Sequence, residues 1–598
     1  MNDRNLYRMM LLAAALFTAV QASSADAALP VTGAGMPDPT FGNGNGEITV
    51  AAGTRSMYPY GAALQADGKL VVSASIDGGQ DIYSFAVARF LDNGALDPAF
   101  ANGGIGVYPM SPNDGPGLNG AAIDANGRIF INGFTQPDSL YRCAVMTLQP
   151  NGQLDKTFGK NGLVEYQPTP GKSAQCNGSV VQPDGKIVVI GYQNLDVYQA
   201  FVVRLLPDGR FDNSFNGTGS VVLPSAGGFI PKGIVVAPDG SFFVGGTSSG
   251  KPRNGTVVKL RADGTIDSSF AKGGRFDSPT PGGASVEYYG IALQSDGKLV
   301  MPGLRGDGPY SAMVARVTDA GVPDPTFAGG GMLDFAISGY PGIARHVAIQ
   351  KDGKYVIEAR VVTANNIVRF AAARLMPDGT TDSTFGSNGS IVLSPFAAGS
   401  DYTSGMALGA DGKIWISGDT TAANKVNVLA VARVLGDEVR TPIVEFYNSG
   451  LNHFFITADP NEASAIDNGA AGPGWMRTGQ SWKSGGPSRV CRFYGSPDID
   501  PATAKRKGPN GHFYTISADE CAQVKEDAGW KFESYDFSGW KTQGDGQCAA
   551  GTIGVKRVYN NRFAVNDSNH RYATSDAIYN QMVAQGWSGE GTVFCAPQ

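Results

Sequence analysis

The pattern Asp-x-x-Phe occurs seven times at nearly constant spacing, and this periodicity constrains the fold more than any other feature of the chain. Successive copies lie 55 to 59 residues apart. A fixed period of this length indicates a repeat architecture. The seven copies are Asp38–Phe41, Asp97–Phe100, Asp155–Phe158, Asp212–Phe215, Asp267–Phe270, Asp324–Phe327 and Asp382–Phe385.

Each repeat unit contains four short β-rich runs, several of them bounded by Asp-Gly turns, which is typical of antiparallel hairpins. Four-stranded sheets repeated radially form a β-propeller. A linear β-solenoid is the alternative, but its coils are usually much shorter than these units. We therefore predict a mainly β protein with a seven-bladed β-propeller over residues 28–438. All seven units look complete, so the pattern does not require a strand exchanged between the two ends.

The repeated motifs resemble the delta-60 repeat of bacterial secreted and surface proteins. The resemblance rests on Asp-x-[Thr/Ser]-Phe-Gly, on the Asp-Gly-Lys turn and on the strand that carries Arg or Lys. It implies a propeller outside the cytoplasm and implies no particular reaction. We expect each repeated Phe to pack between neighbouring blades and each Asp to cap the turn before it. Calcium loops are a weaker interpretation of the Asp-Gly turns, because the ligand-dense spacing is missing.

A second periodicity begins at Pro442 and predicts an α+β domain of three pseudo-repeats over residues 442–598. Each pseudo-repeat has an aromatic strand, a histidine motif, a capped helix and a Gly-Trp pair. The three histidines are His453, His512 and His570. The combination resembles a domain family of secreted bacterial proteins without an established activity. The histidines have three interpretations: a local structural role, a ligand-binding role that uses the adjacent aromatics, or a shared zinc site.

The N-terminus reads as a secretory signal peptide over residues 1–27. Basic Arg4 and Arg8 precede an apolar run over residues 9–20, and Ala25-Asp-Ala27 fits a cleavage site. An uncleaved anchor is the alternative, but the run is shorter than a membrane span requires. We expect a mature protein that is secreted, periplasmic or held at the cell surface, with no transmembrane segment after cleavage.

The cysteine count is even, and in an exported chain this favours disulfides over metal sites. We predict Cys491–Cys521 and Cys548–Cys595, each within one C-terminal pseudo-repeat. Cys143 and Cys176 lie in adjacent units and form a further candidate pair.

The net charge of −6 gives no reason to expect a nucleic-acid partner. No sequence motif for a cofactor, a metal or a nucleophile occurs, so no cofactor is predicted. The expected role is a non-catalytic binding or scaffold protein with an extracellular glycan or protein ligand. The alternative is a polysaccharide-acting enzyme with its site in the propeller channel, which would need suitable carboxylates.

Candidate binding residues emerge where the units differ, because a site on a repeat scaffold uses variable positions. Six units carry glycine six residues before the turn Asp, and the sixth unit carries His346 instead. The residue before this position is polar or polar-tipped in all units. These residues are Tyr60, Asn119, Asn177, Lys232, Tyr289, Arg345 and Ser404. If the second strand of each unit lies near the axis, these side chains ring one mouth of the channel.

Overall fold

The computed structural model describes residues 34–597 apart from positions 43, 78–82, 110–116, 225–226, 309, 364–365, 394–398, 423, 438–441, 487, 497 and 501–504. The predicted signal peptide lies outside the described residues. Within the described part of the chain, none of the helices is long and apolar enough to span a membrane. The prediction of a mainly β protein is confirmed.

The described residues up to Val434 form seven antiparallel sheets, here called blades 1 to 7, whose strands are given from the inside outwards. Blade 1 comprises Met57–Leu64, Leu70–Asp77, Tyr83–Phe90 and Ile105–Tyr108. Blade 2 comprises Gly117–Ile123, Ile129–Thr135, Arg142–Leu148 and Leu163–Tyr166. Blade 3 comprises Ala174–Val181, Ile187–Asn194, Tyr198–Leu205 and Ser220–Val222. Blade 4 comprises Ile230–Val236, Phe242–Thr247, Gly255–Leu260 and Arg275–Asp277.

Blade 5 has a divided inner strand, whose pieces Val286–Tyr288 and Ala292–Leu293 both pair with Leu299–Arg305. Its outer strands are Ser311–Val317 and Met332–Phe335. Blade 6 comprises Gly342–Ile349, Tyr355–Val362, Val368–Leu375 and Ser390–Val392. Blade 7 comprises Asp401–Leu408, Ile414–Thr421, Asn427–Val434 and, as its outermost strand, Glu47–Val50.

The blades close into a ring, because the inner strands of consecutive blades contact one another all the way round, including blades 7 and 1. An N-terminal strand completes this ring: Glu47–Val50 pairs antiparallel with Asn427–Val434. The first strand of each sequence unit likewise serves as the outer strand of the preceding blade. Complete units therefore do not correspond to complete blades, and a strand from one end of the repeat region is built into the last blade.

The repeated Asp and Phe are architectural. Each Asp accepts hydrogen bonds at the turn before its Phe, as Asp38 does from the Thr40 backbone N–H at 2.9 Å. Phe41 is fully buried between blades 7 and 1, with its ring 5.0 Å from that of Trp415. In six blades a strand cation lies about 3 Å from this carboxylate. The pairs are Arg89–Asp97, Arg204–Asp212, Lys259–Asp267, Arg316–Asp324, Arg374–Asp382 and Arg433–Asp38.

The C-terminal residues form three three-stranded sheets, each with one helix. Repeat 1 has Pro442–Asn448 between His453–Thr457 and Trp475–Lys483, with helix α1 over Pro460–Asp467. Repeat 2 has Ser488–Gly495 between His512–Thr515 and Trp530–Gly539, with α2 over Ala518–Glu526 and a short pair Ile499–Asp500 and Lys505–Arg506. Repeat 3 has Thr552–Tyr559 between His570–Ala573 and Ser588–Pro597, with α3 over Asp576–Ala584. Among the described residues, short 3₁₀ turns include Pro281–Gly283 in the propeller and Phe563–Val565 in repeat 3.

Local sequence explains the helix starts. Asp459, Ser517 and Ser575 each occupy the N-cap and accept a hydrogen bond from a backbone N–H in the first turn. The predicted disulfides Cys491–Cys521 and Cys548–Cys595 are both present. The third, Cys143–Cys176, joins the third strand of blade 2 to the inner strand of blade 3.

The C-terminal domain contacts the turns that follow the inner strands of blades 1 and 7. The Arg489 guanidinium lies 2.9 Å from a carboxylate oxygen of Asp411. Gly68 packs closely against the same side chain: a Cβ at this position would lie only 2.0 Å from Arg489 Nη1. These turns lie at the C-terminal ends of the inner strands. Tyr402 lies at the N-terminal end of its inner strand, so the channel mouth near Tyr402 is on the face of the propeller opposite the C-terminal domain.

Candidate functional site

The predicted ring of polar residues coincides with a backbone irregularity that recurs around the propeller axis. In six inner strands the pairing with the second strand shifts at one residue, which is left unpaired as a β-bulge. The bulged residues are Tyr60, Asn119, Asn177, Lys232, Arg345 and Ser404. In blade 5 the strand is interrupted at Tyr289, whose N–H donates to the Pro302 carbonyl at 2.9 Å. Bulges redirect side chains and are over-represented next to functional sites.

The inner strands surround a cavity of about 270 Å³ at the axis. Five predicted ring residues line it: Tyr60, Asn119, Asn177, Lys232 and Tyr289. His346 lines it as well. Two other predicted residues do not. The Ser404 hydroxyl donates to the Ser417 carbonyl at 3.3 Å, and the Arg345 guanidinium lies 5.4 Å from the centre of the Tyr289 ring.

Close packing explains the glycine that follows the bulge in most blades. A Cβ at Gly405 would lie 2.7 Å from the Ala62 nitrogen, and one at Gly61 would lie 2.9 Å from the Gly120 Cα. Blade 6 alone places a large side chain, His346, at this crowded position.

His346 is held by a carboxylate that sequence reasoning missed. Its Nδ1 lies 2.5 Å from Oε2 of Glu358, the residue directly opposite it on the second strand of blade 6. Glu358 is fully buried, and its other oxygen has no hydrogen-bond partner within the described part of the protein. The corresponding residues of other blades carry no carboxylate; they are Ser73, Asn132, Ile190, Gly245 and Ser417. Aligning the second strands by register would have singled out Glu358.

Three cations cluster near Tyr289 without an anionic partner. Among the described residues, no carboxylate lies within 4 Å of Lys232, Arg345 or Arg360 to form an ion pair. Desolvation and the charge of Arg345 lower the pKa of Lys232 and also that of Arg360, which lies over the Tyr402 ring at 5.9 Å. The Nε of Arg345 is buried and has no hydrogen-bond partner in the described structure.

The nearby carboxylates, by contrast, mostly have partners. Glu287 forms an ion pair with Arg253 and accepts a hydrogen bond from the Tyr289 hydroxyl at 3.1 Å. Burial, with a smaller contribution from Glu287, raises the pKa of Tyr289 to about 12. Asp419 differs: burial, followed by the charge of Asp401, raises its pKa to about 7. Glu287 and Glu358 act on the cations from beyond ion-pair distance: the charge of Glu287 partly offsets the lowering of the Lys232 pKa, and that of Glu358 partly offsets the lowering of the Arg360 pKa.

The amides in blades 2 and 3 connect neighbouring inner strands. Asn119 Nδ2 donates to the Cys176 carbonyl at 2.6 Å, and Asn177 Nδ2 donates to the Pro231 carbonyl at 2.8 Å. Asn119 and Asn177 thus join neighbouring blades on one side of the ring. The other side, from Lys232 round to Tyr60, carries the charged and aromatic groups.

The three C-terminal histidines do not share a site. His453 Nε2 lies 2.7 Å from Asp567 Oδ1, and His512 Nε2 lies 3.3 Å from Glu533 Oε2. The His570 ring stacks on Tyr559 at 5.0 Å. Burial, followed by the charge of Arg557, lowers the pKa of His570 to about 3. In the described ranges, no group of three or more His, Cys, Asp or Glu residues is arranged to hold a metal ion, so the zinc interpretation has no geometric support.

His453 and His512 instead line a pocket of about 510 Å³ between repeats 1 and 2. Its aromatic wall includes Phe455, Trp475 and Tyr494. Glu462 and Glu533 also line it, and both bond Arg492 behind them, at 2.7 and 3.0 Å. The loop at 468–474, which contributes two alanines to the lining, is longer than its counterparts at 527–529 and 585–587. This longer loop distinguishes the first interface between repeats.

The fold and the site together define a β-propeller with a charged axial mouth, followed by a smaller α+β domain of three pseudo-repeats. Family models match both parts. Residues 65–100, 182–215, 237–270 and 350–385 match the Domain of unknown function (DUF5122) beta-propeller, and residues 443–597 match the Domain of unknown function (DUF5648). The chain therefore combines β-propeller repeats of the first family with a separate C-terminal domain of the second.

No curated protein matches the chain significantly. Solved structures that resemble it include a protein of unknown function from Dyadobacter fermentans, with 11% identity, TM-score 0.38, and 65% of this chain and 98% of that chain covered. Another is an ulvan lyase of polysaccharide lyase family PL25, with 10% identity, TM-score 0.38, and coverage of 65% and 96%. Drosophila Semaphorin 2a has 10% identity, TM-score 0.36, and coverage of 68% and 76%. At these TM-scores the likenesses support no functional conclusion.

Proposed function

We propose that this protein is an exported binding protein whose propeller mouth binds an acidic polysaccharide. The observation that carries the proposal is the cluster of Lys232, Arg345 and Arg360, three cations that lack ion-pair partners among the described residues. Clustered like charges in a partly desolvated site are costly unless an anion neutralises them. A carboxylate- or sulfate-bearing ligand would supply that charge.

Aromatic side chains around the mouth support a sugar ligand in particular. Tyr60 and Tyr402 are both exposed there, and Tyr289 lines the cavity. Aromatic rings offer a flat apolar surface with a polar tip, which suits the mixed character of a sugar ring. A polymer would place acidic groups against the cations and sugar faces against the tyrosines.

Export is supported by the three disulfides, which persist in oxidising compartments. The N-terminal leader predicted over residues 1–27 agrees with this location. Expression of the full chain in a bacterial host tests it: mass spectrometry should find the mature N-terminus near Ala28 in the periplasm or medium. Retention of the intact leader in the cytoplasm would contradict it.

The pocket between C-terminal repeats 1 and 2 is proposed as a second sugar-binding element. Trp475 lines this pocket and should stack on a sugar ring. Trp530 of repeat 2 packs on Phe513 at 5.8 Å, as Trp475 does on Phe455 at 6.2 Å, but it does not line the pocket. Affinity electrophoresis in gels that contain polysaccharide compares Trp475→Ala with the matched Trp530→Ala. We expect reduced retardation only for Trp475→Ala, with equal thermal midpoints. Equal retardation of both variants would remove this element.

The propeller site is tested with polygalacturonate by isothermal titration. The variant Lys232→Gln/Arg345→Gln/Arg360→Gln should bind at least ~10-fold more weakly than the unmodified protein, since charge-assisted contacts contribute about 1.5–3 kcal/mol each. The charge-matched control Lys156→Gln/Lys160→Gln/Lys172→Gln alters three exposed lysines away from the mouth and should bind normally. Equal binding by the two variants would overturn the proposal. The second candidate function is an enzyme that acts on polysaccharide. The observation that favours it is the His346–Glu358 pair.

A further inference from the structure

We propose that the propeller mouth also cleaves its ligand, with His346, Glu358 and Tyr289 carrying out β-elimination on a polysaccharide that contains uronic acid. This inference rests on the proposed binding of an acidic polysaccharide at the mouth. His346 and Tyr289 come from adjacent blades and line the same cavity. Glu358 lies behind His346, where no ligand reaches it.

The His346–Glu358 pair has the arrangement of a general base and its orienting carboxylate. Because Glu358 Oε2 lies 2.5 Å from Nδ1 of His346, the proton of neutral imidazole resides on Nδ1 and the lone pair on Nε2. The buried carboxylate also stabilises the imidazolium that forms when Nε2 takes a proton. The side chain of His346 is about one-third exposed, whereas that of Glu358 is fully buried, so only the histidine is available to a ligand.

The burial of Glu358 argues against hydrolysis by the usual pair of carboxylates. Both groups of such a pair must reach the bond that is cleaved, one as an acid and the other as a base or nucleophile. Glu358 faces His346 instead, and Glu287 is held by Arg253 and Tyr289. Proton abstraction by a histidine needs no second free carboxylate and no cofactor.

The cations supply the remaining requirement. A proton next to a carboxylate is weakly acidic because its removal leaves a second negative charge on the group. The guanidinium of Arg345, assisted by Lys232 and Arg360, would neutralise the uronate and stabilise the charge that develops on it. Arg345 lies over the ring of Tyr289, which places this charge beside the cavity that His346 lines.

The reaction balances without an added reactant. His346 Nε2 removes the C5 proton of the uronate, and the electron pair of that C–H bond forms the C4–C5 double bond. The C4–O bond breaks, and the departing oxygen of the adjoining sugar takes the proton of the Tyr289 hydroxyl, which gives up its hydrogen bond to Glu287. The imidazolium then loses its proton to solvent, and the phenolate regains one. Tyr289 remains protonated at neutral pH, because burial, with a smaller contribution from Glu287, raises its pKa to about 12.

Incubation of the full mature protein with polygalacturonate, alginate and hyaluronan tests the inference, with the ultraviolet absorbance of the unsaturated product as the readout. We expect product from at least one polymer. His346→Asn and Tyr289→Phe should each lower the rate of product formation by roughly 100-fold or more. Glu358→Gln should lower the rate of product formation, because it removes the charge that stabilises the imidazolium while His346 keeps its Nε2 atom.

The outcomes separate this inference from the proposed function. Binding of acidic polymers without any unsaturated product would overturn the catalytic inference and leave the binding function intact, whereas absence of binding would overturn both. Product formation that is unchanged in His346→Asn would also contradict the assignment. The lysine control described above should match the unmodified protein in rate, and circular dichroism of each variant checks that it folds.

Discussion

Arg433 Nε lies 2.7 Å from Asp38 Oδ2, and this buried ion pair joins the last blade to the first copy of the repeated motif. Both side chains are fully buried. Breaking a buried pair from one side is strongly destabilising, since it leaves an uncompensated charge. Together with the strand Glu47–Val50, the pair closes the propeller ring.

Asp38→Asn should therefore lower the free energy of unfolding by about 3–5 kcal/mol, measured by urea denaturation. Asp155→Asn is the matched control, because Thr147 replaces the strand cation in that blade and the nearest guanidinium, that of Arg128, is 3.9 Å away. The control should cost clearly less. Equal losses would show that the ion pair has no special part in closing the ring.

Acid should destabilise the propeller through the same repeated carboxylates. Burial alone would raise the pKa of Asp324, but hydrogen bonds from Thr326 and the charge of Arg316 outweigh it and lower the value to about 2. Such a group stabilises the folded state at any pH above the unfolded value near 4, and this contribution is lost as pH falls towards 2. Urea midpoints between pH 5 and 2 should fall steadily. A flat profile would contradict this origin of acid sensitivity.

The Cys548–Cys595 bridge spans 47 residues and should stabilise the C-terminal domain by about 4 kcal/mol. Replacing both cysteines with serine should lower its denaturation midpoint. Tryptophan fluorescence reports this domain selectively, because Trp415 is the only one of the six tryptophans located before Pro442. Far-ultraviolet circular dichroism is dominated by the propeller. If the denaturation midpoint followed by circular dichroism falls as much as the one followed by fluorescence, the bridge does not stabilise the C-terminal domain alone.

His570 should make the C-terminal domain sensitive to mild acid. Burial lowers its pKa to about 3, so the unfolded chain binds a proton between pH 6.5 and 3 where the folded domain does not. The contribution of the neutral His570 to the free energy of unfolding is therefore fully present above pH 6.5. Below that pH the free energy of unfolding falls by at most about 1.4 kcal/mol per pH unit. His570→Phe, which keeps a ring against Tyr559, should flatten the fluorescence-detected stability between pH 6.5 and 4. An unchanged slope would assign the sensitivity to other groups.

Sequence periodicity was sufficient to predict the β-rich repeat architecture, the packing of Phe41 and its equivalents, and the C-terminal disulfide pairs. The architecture and the Phe packing follow from interactions that recur in every unit, so the repeat itself reveals them. The disulfide pairs follow from the position of two cysteines within one pseudo-repeat. The closure by Glu47–Val50 was missed, because the order of motifs along the chain does not tell which blade a strand joins. That assignment depends on pairing between strands from opposite ends of the repeat region.

The site was predictable only in part. Aligning the units identified the bulged residues and His346, since a shared scaffold exposes its exceptions. Glu358 and Arg360 lie on a different strand, and only the register of blade 6 brings Glu358 beside His346. Whether a bulged side chain lines the cavity also depends on local contacts, as the hydrogen bond of Ser404 illustrates.

Binding of one polymer in charged and neutral forms tests the central claim most directly. Polygalacturonate and its fully methyl-esterified form share a backbone and differ in the carboxylate charge. Isothermal titration of the unmodified protein should detect binding of the acidic form that weakens as salt screens the charges, and binding of the ester at least ~10-fold weaker. Equal affinity for the two forms, independent of salt, would contradict an anion site built from Lys232, Arg345 and Arg360.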